Sequence, residues 1–211
     1  MMKTYISLLG FDTSQIVSLI VKYGIEGGDR IVLIRPEDEK DARGESTVQA
    51  IKDLSRQIDR KIIVDIHPVN HHNFEEMVVS MIDLLKYAEG QVVANISGGA
   101  REIFLAFAVA CLSKSSKIYK VTCFSDIDRV MTEIDLPNIT NILDLKLKTV
   151  LKDVQENQPT QIMEIAKRLN LSESTISRQI NKLAELKSVH VVPKGKTKYV
   201  SMTLTGRILL N

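Results

Sequence analysis

The chain has 211 residues, 44% of them hydrophobic and 26% charged, which leaves room for two modest domains with real cores and excludes a disordered or low-complexity protein. The longest strongly apolar run, residues 103–112, is too short to cross a bilayer and reads as a buried helix, so no membrane role is expected. Net charge is only +2, but residues 141–211 hold 12 basic against 6 acidic side chains while residues 1–140 hold 16 against 20, which points to a polyanion partner for the C-terminal third alone.

In chain order, strand-like apolar runs at residues 4–9, 30–35, 61–66, 91–96 and 118–124 alternate with helix-length segments at 13–23, 42–58, 73–88 and 100–113. That rhythm predicts an α/β domain, a Rossmann-like parallel sheet with helices on both faces. Residues 130–136 follow the fifth strand after a short turn and predict a sixth, antiparallel edge strand. Residues 1–136 form this first domain, and residues 137–143, with Pro137, read as a linker. Cys111 and Cys123 stand in no paired motif, and no signal peptide precedes the first strand. Both observations lead us to expect a reduced, cytoplasmic protein.

Residues 144–211 predict three helices and a hairpin, the order of a winged helix-turn-helix. The helices fall at about 145–155, 161–169 and 173–186, and the strands at 189–193 and 199–203. Thr160 is expected to cap the second helix, Asn170 to take a left-handed turn, Leu171 to plug the gap between helices and Ser172 to cap the third. Ile176, Ile180 and Leu183 then face inward. Ser174, Thr175, Ser177, Arg178, Asn181 and Lys182 are left on the outer face. Small polar and basic groups on a helix reach base edges and phosphates in the major groove of double-stranded DNA. Ser177, Arg178 and Asn181 suit bases; Lys182 suits phosphates, as do Lys194 and Lys196 at the glycine-bearing hairpin tip.

In the first domain, ligands are expected outside the carboxyl ends of the strands. Strand one runs out at Gly10-Phe11-Asp12-Thr13. Strand four runs out at Ser97-Gly98-Gly99-Ala100-Arg101-Glu102, where two glycines let a ligand approach backbone N–H groups at a helix start. A phosphate site is plausible there, against the plainer reading of a sharp turn. Neither loop is a P-loop or a dinucleotide fingerprint, so neither ATP hydrolysis nor NAD chemistry is expected. His67, His71 and His72 cluster after strand three without completing a recognisable ligand set, so no metal is expected.

Gly10-Phe11-Asp12, Arg35-Pro36 and Ser97-Gly98-Gly99-Ala100-Arg101-Glu102, followed by a winged helix, resemble the archaeal CRISPR-associated transcription regulators with an N-terminal CARF (CRISPR-associated Rossmann fold) domain. The resemblance implies a homodimer whose paired CARF domains receive a cyclic oligoadenylate, commonly cyclic tetra-adenylate, as a signalling ligand and not a cofactor. It also implies that the winged helices regulate CRISPR-associated genes of antiviral defence by binding a DNA operator. Gly10, Phe11, Asp12, Thr13, Arg35, Ser97, Gly98, Gly99 and Arg101 would line the ligand site. Some CARF domains also cleave their ring, so the alternative is a ring nuclease with the winged helix as an accessory. Thr13, Ser97 and Arg101 are conceivable parts of it, but no acid or base stands out.

Overall fold

The computed structural model describes residues 1–11, 13–37, 42–125, 127–140, 142–195 and 197–210, and divides into two compact units, Met1–Leu136 and Pro137–Asn211. Unit one contains β1 (Lys3–Leu8), α1 (Ser14–Tyr23), β2 (Arg30–Pro36), α2 (Ala42–Ile58), β3 (Ile63–Val69), α3 (Phe74–Tyr87), β4 (Gln91–Asn95), α4 (Arg101–Ser113), β5 (Ile118–Phe124) and β6 (Met131–Glu133). The sheet order is β3-β2-β1-β4-β5-β6, parallel through β5, with β6 antiparallel at the edge. This is the α/β class that the alternation predicts.

Because side chains alternate across a strand, each buried strand feeds two cores. Ile6, Leu8, Val32 and Ile34 pack with α3 and α4, through Met81, Phe107 and Ala110. Tyr5, Ile31 and Leu33 pack with α1 and α2, through Ile16, Leu19 and Ile51. Edge strand β6 is shorter than the 130–136 predicted. Its Glu133 accepts hydrogen bonds from Lys120 Nζ at 2.7 Å and from the Tyr23 hydroxyl at 2.9 Å, with Lys22 at 3.5 Å. These partners pull its carboxyl down to about 2. Cys111 lies in the core, where burial pushes its thiol up to about 12, and both cysteines are free.

Helix α4 departs from expectation. Its apolar run predicts full burial, but Phe104, Leu105 and Val109 are 38%, 54% and 37% exposed. The sheet and α3 cover one side of the helix only, while its sequence is apolar all round.

Unit two contains α5 (Leu145–Asn157), β7 (Thr160–Gln161), α6 (Ile162–Leu169), α7 (Glu173–Glu185), β8 (Val189–Lys194), β9 (Thr197–Met202) and α8 (Leu204–Leu210). Its core joins Leu147, Val150, Leu151, Ile165, Ile176, Ile180 and Leu183. Leu143, inside the predicted linker, belongs to this core. Thr160 does not cap α6: it pairs with Val200 in β7, and the cap position is Gln161, whose N–H reaches the Glu164 carboxylate at 3.1 Å. Leu171 does not plug the helix gap but lies exposed, its backbone N–H held by the Ala166 carbonyl. Asp153, buried on α5, accepts two hydrogen bonds from Arg168 at 2.9 and 2.8 Å and so ties α6 to α5. Helix α8 has no counterpart among the predicted elements.

Candidate ligand cavity and DNA-reading face

Two loops meet at the carboxyl ends of β1 and β4 because these strands pair in parallel, Ser7 beside Asn95. Between them lies a cavity of about 320 Å³ lined by Leu9, Gly10, Phe11, Gln15, Ile34, Pro36, Gly44, Gly98, Gly99, Ala100 and Ile103. Gly98 and Gly99 have φ of 75° and 71°, a region where side chains are strained. The space is also tight: an added Cβ would sit 2.5 Å from Gln15 Nε2 at Gly98 and 3.0 Å from Leu8 Cβ at Gly99. Helix α4 starts directly behind them at Ala100, which has no side chain to cap it. The first-turn N–H groups of α4 are therefore left for an anion.

Gly10, Phe11, Gly98 and Gly99, all expected at the site, line this cavity. Phe11 is 63% exposed and its ring lies 4.4 Å from the Arg43 guanidinium, a cation–π contact at the rim. Thr13 lines an adjoining cavity with Arg43 and Thr47. Asp12 lies outside the described residues. Arg35, Ser97 and Arg101 are not among the lining groups. The Arg35 guanidinium turns to the other face of β2, 2.6 Å from Glu45. The Ser97 hydroxyl is buried, donating to Asn95 Oδ1 at 2.9 Å and accepting from the Phe124 N–H at 2.5 Å. It closes the ends of β4 and β5 onto each other. Arg101 is exposed at the start of α4. Gln15 and Arg43 escape the sequence reading, since only the strand pairing brings them to these loops.

A larger groove, about 860 Å³, runs between β1–β3 and α3. Three of its polar groups are matched: His67 Nε2 with Ser80 Oγ at 2.8 Å, Arg30 with Asp65 at 3.3 Å, and the Thr4 hydroxyl with the Glu89 carbonyl at 2.7 Å. Burial lowers the His67 pKa. The His71 and His72 rings lie against each other at a tilt of 41°, their centroids 3.8 Å apart.

In unit two, Asn170 adopts the left-handed turn (φ 51°, ψ 46°) and Ser172 caps α7, accepting from the Thr175 N–H at 3.2 Å. With Ile176, Ile180 and Leu183 inward, α7 exposes Ser174, Arg178, Asn181 and Lys182, and half-exposes Thr175 and Ser177. Arg178 Nε rests on the Ser174 carbonyl at 3.3 Å, and Lys182 lies 4.0 Å from Asp144. Both contacts are at the surface and weak enough to exchange for a polyanion. Strands β8 and β9 form the wing, with Lys194 and the positive-φ Gly195 at its tip; Lys196 lies outside the described residues.

Residues 3–124 match the family described as "Csa3 CRISPR-associated Rossmann-like domain", and residues 143–186 match "Winged helix-turn-helix DNA-binding". Among solved structures, the chain is similar to "Enterococcus italicus Csm6 bound to cyclic hexa-2'-fluoro-hexa-dAMP" at 13% identity and a TM-score of 0.48. That alignment covers 89% of this chain and 53% of the other, so this chain spans about half its length. No curated protein matches the chain.

Proposed function

The chain belongs to the Csa3 CRISPR-associated Rossmann-like family and continues into a winged helix-turn-helix, and on that premise we propose that it is a DNA-binding regulator of CRISPR-associated genes that senses a cyclic oligoadenylate as a homodimer. The observation that carries this reading is the division of chemistry between the units. One unit holds a glycine-lined cavity at an uncapped helix start, suited to phosphates, and the other a polar, basic helix face beside a lysine-tipped wing.

Cavity size supports the dimer. A space of about 320 Å³ suits a nucleotide-sized fragment, so a ring needs a second copy to complete its site. The apolar stripe of Phe104, Leu105 and Val109 supplies the seam. It lies on α4, whose first residues border the cavity, so pairing along it brings two cavities together. Cyclic tetra-adenylate, whose symmetry includes a two-fold axis, is compatible with such a pair. The ring-nuclease alternative gains nothing from Ser97, whose hydroxyl is committed to Asn95 and Phe124.

The test is calorimetry of the full chain with cyclic tetra-adenylate, alongside fluorescence anisotropy on DNA from its own CRISPR-associated promoters. Binding of one ring per dimer, with a changed operator affinity, is expected; reciprocity requires DNA to change ring affinity by the same factor. Arg178→Ala with Asn181→Ala is expected to weaken operator binding and leave ring binding unchanged. A ring that binds without altering DNA affinity refutes the coupling.

A further inference from the structure

We infer that Gln15 reads the ligand's backbone: its side-chain amide, locked by Asn95, presents Nε2 as a donor to a phosphodiester oxygen at the cavity floor. This rests on the oligoadenylate reading above and deepens it. Gln15 lies in the first turn of α1, is only 9% exposed, and still lines the cavity. Its Oε1 accepts from Asn95 Nδ2 at 3.2 Å.

The hydroxyls around Asn95 match one orientation of its amide. Ser97 Oγ accepts from the Phe124 N–H, leaving its own proton for Asn95 Oδ1. Ser7 Oγ gives its proton to the Leu8 carbonyl at 3.2 Å, leaving a lone pair for Asn95 Nδ2 at 2.9 Å. The Thr122 hydroxyl shares its proton between Oδ1 at 3.4 Å and the Ala94 carbonyl at 3.5 Å. In that orientation the Asn95 nitrogen faces Gln15, and Gln15 turns its oxygen to Asn95 and its nitrogen away. No described residue takes a hydrogen bond from Nε2.

Gly98 makes room for this arrangement, since a Cβ there would collide with the amide. Although the side chain is nearly buried, Nε2 still faces the open cavity, so an acceptor entering there meets a donor already held in place. The other polar groups at this floor, the α4 N–H groups, also only donate. A floor of donors selects a group that only accepts. A phosphodiester oxygen meets that demand; an adenine amino group does not, and a ribose hydroxyl meets it only in part.

The experiment measures cyclic tetra-adenylate affinity of the full-length dimer by calorimetry for wild type, Gln15→Met and Gln15→Glu, with unfolding midpoints as a fold check. Gln15→Met, close in size, should bind roughly tenfold to a hundredfold more weakly. Gln15→Glu should bind more weakly still at neutral pH and recover as pH falls and the introduced carboxyl regains a proton to donate. That recovery is a readout a merely structural role would not produce. Equal affinity for all three proteins overturns the inference while the ligand reading stands. A wild type that does not bind the ring overturns the ligand reading and the inference with it. If Gln15→Glu does not fold, Gln15→Met alone decides.

Discussion

The two units finish their helices in opposite ways. In unit two, Asp144 caps α5, Glu164 reaches back to the start of α6, and Ser172 caps α7. In unit one, Asn73 closes α3, beside the larger groove, but neither Thr13 nor Ala100 puts a side-chain cap on the helix that borders the glycine-lined cavity. A cap stabilises a helix by about 1 kcal/mol, so each omission forgoes stability. The difference teaches where each unit keeps its contacts. Unit two closes its backbone and reads with side chains on a finished helix. Unit one leaves the start of α4 without a side-chain cap beside the glycine-lined cavity.

The comparison can be broken most severely at α4. Leu105→Asp with Val109→Asp places charge in the apolar stripe and should weaken self-association roughly a hundredfold or more, read by sedimentation, with the monomer still folded because both sites are already exposed. Next, Asp153→Ala leaves Arg168 without its carboxylate and should destabilise unit two by about 2 kcal/mol in chemical denaturation, with the unit-one transition unmoved. The sharpest test of the contrast is a pair of cap changes. Ser172→Ala should cost about 1 kcal/mol and weaken DNA binding. Ala100→Asp should stabilise unit one by about 1 kcal/mol yet weaken ring binding, because the new carboxylate takes the N–H groups and repels phosphate. The smallest effect is at Glu133. Its folded carboxyl titrates near 2 against an ordinary 4.5, so its stabilising contribution is present above about pH 4.5 and fades as pH falls towards 2. Glu133→Gln should flatten that part of the acid-unfolding curve.

Most of the architecture was legible because periodicity records which faces are buried. The bounds of α2 and β5 follow from it directly, and the strand order puts both glycine loops at one end of the sheet. What escaped depends on contacts distant in sequence. Gln15 and Asn95 are 80 residues apart and meet only through β1–β4 pairing. Ser97 reads as a ligand group until β5 takes its hydroxyl. The exposure of α4 leaves no mark on its pattern, since an apolar seam and an apolar core use the same residues. Two local signals were available and pass easily unnoticed. Gln161 and Glu164 stand at capping-box spacing, and Thr203 caps α8, accepting from the Gly206 N–H at 3.1 Å. Gly206 also marks a close approach, as a Cβ there would lie 2.3 Å from the Ser188 carbonyl oxygen.

Helix α1 has a mechanical consequence. Ten residues of α-helix make a rod about 15 Å long, too stiff to absorb a displacement along its axis. One end carries Gln15 at the cavity; the other carries Lys22 and Tyr23, both fastened to Glu133 of β6. β6 is the last strand before the chain leaves unit one at Leu136. The helix therefore joins the cavity end of the sheet to the exit strand through the surface contacts of its last turn.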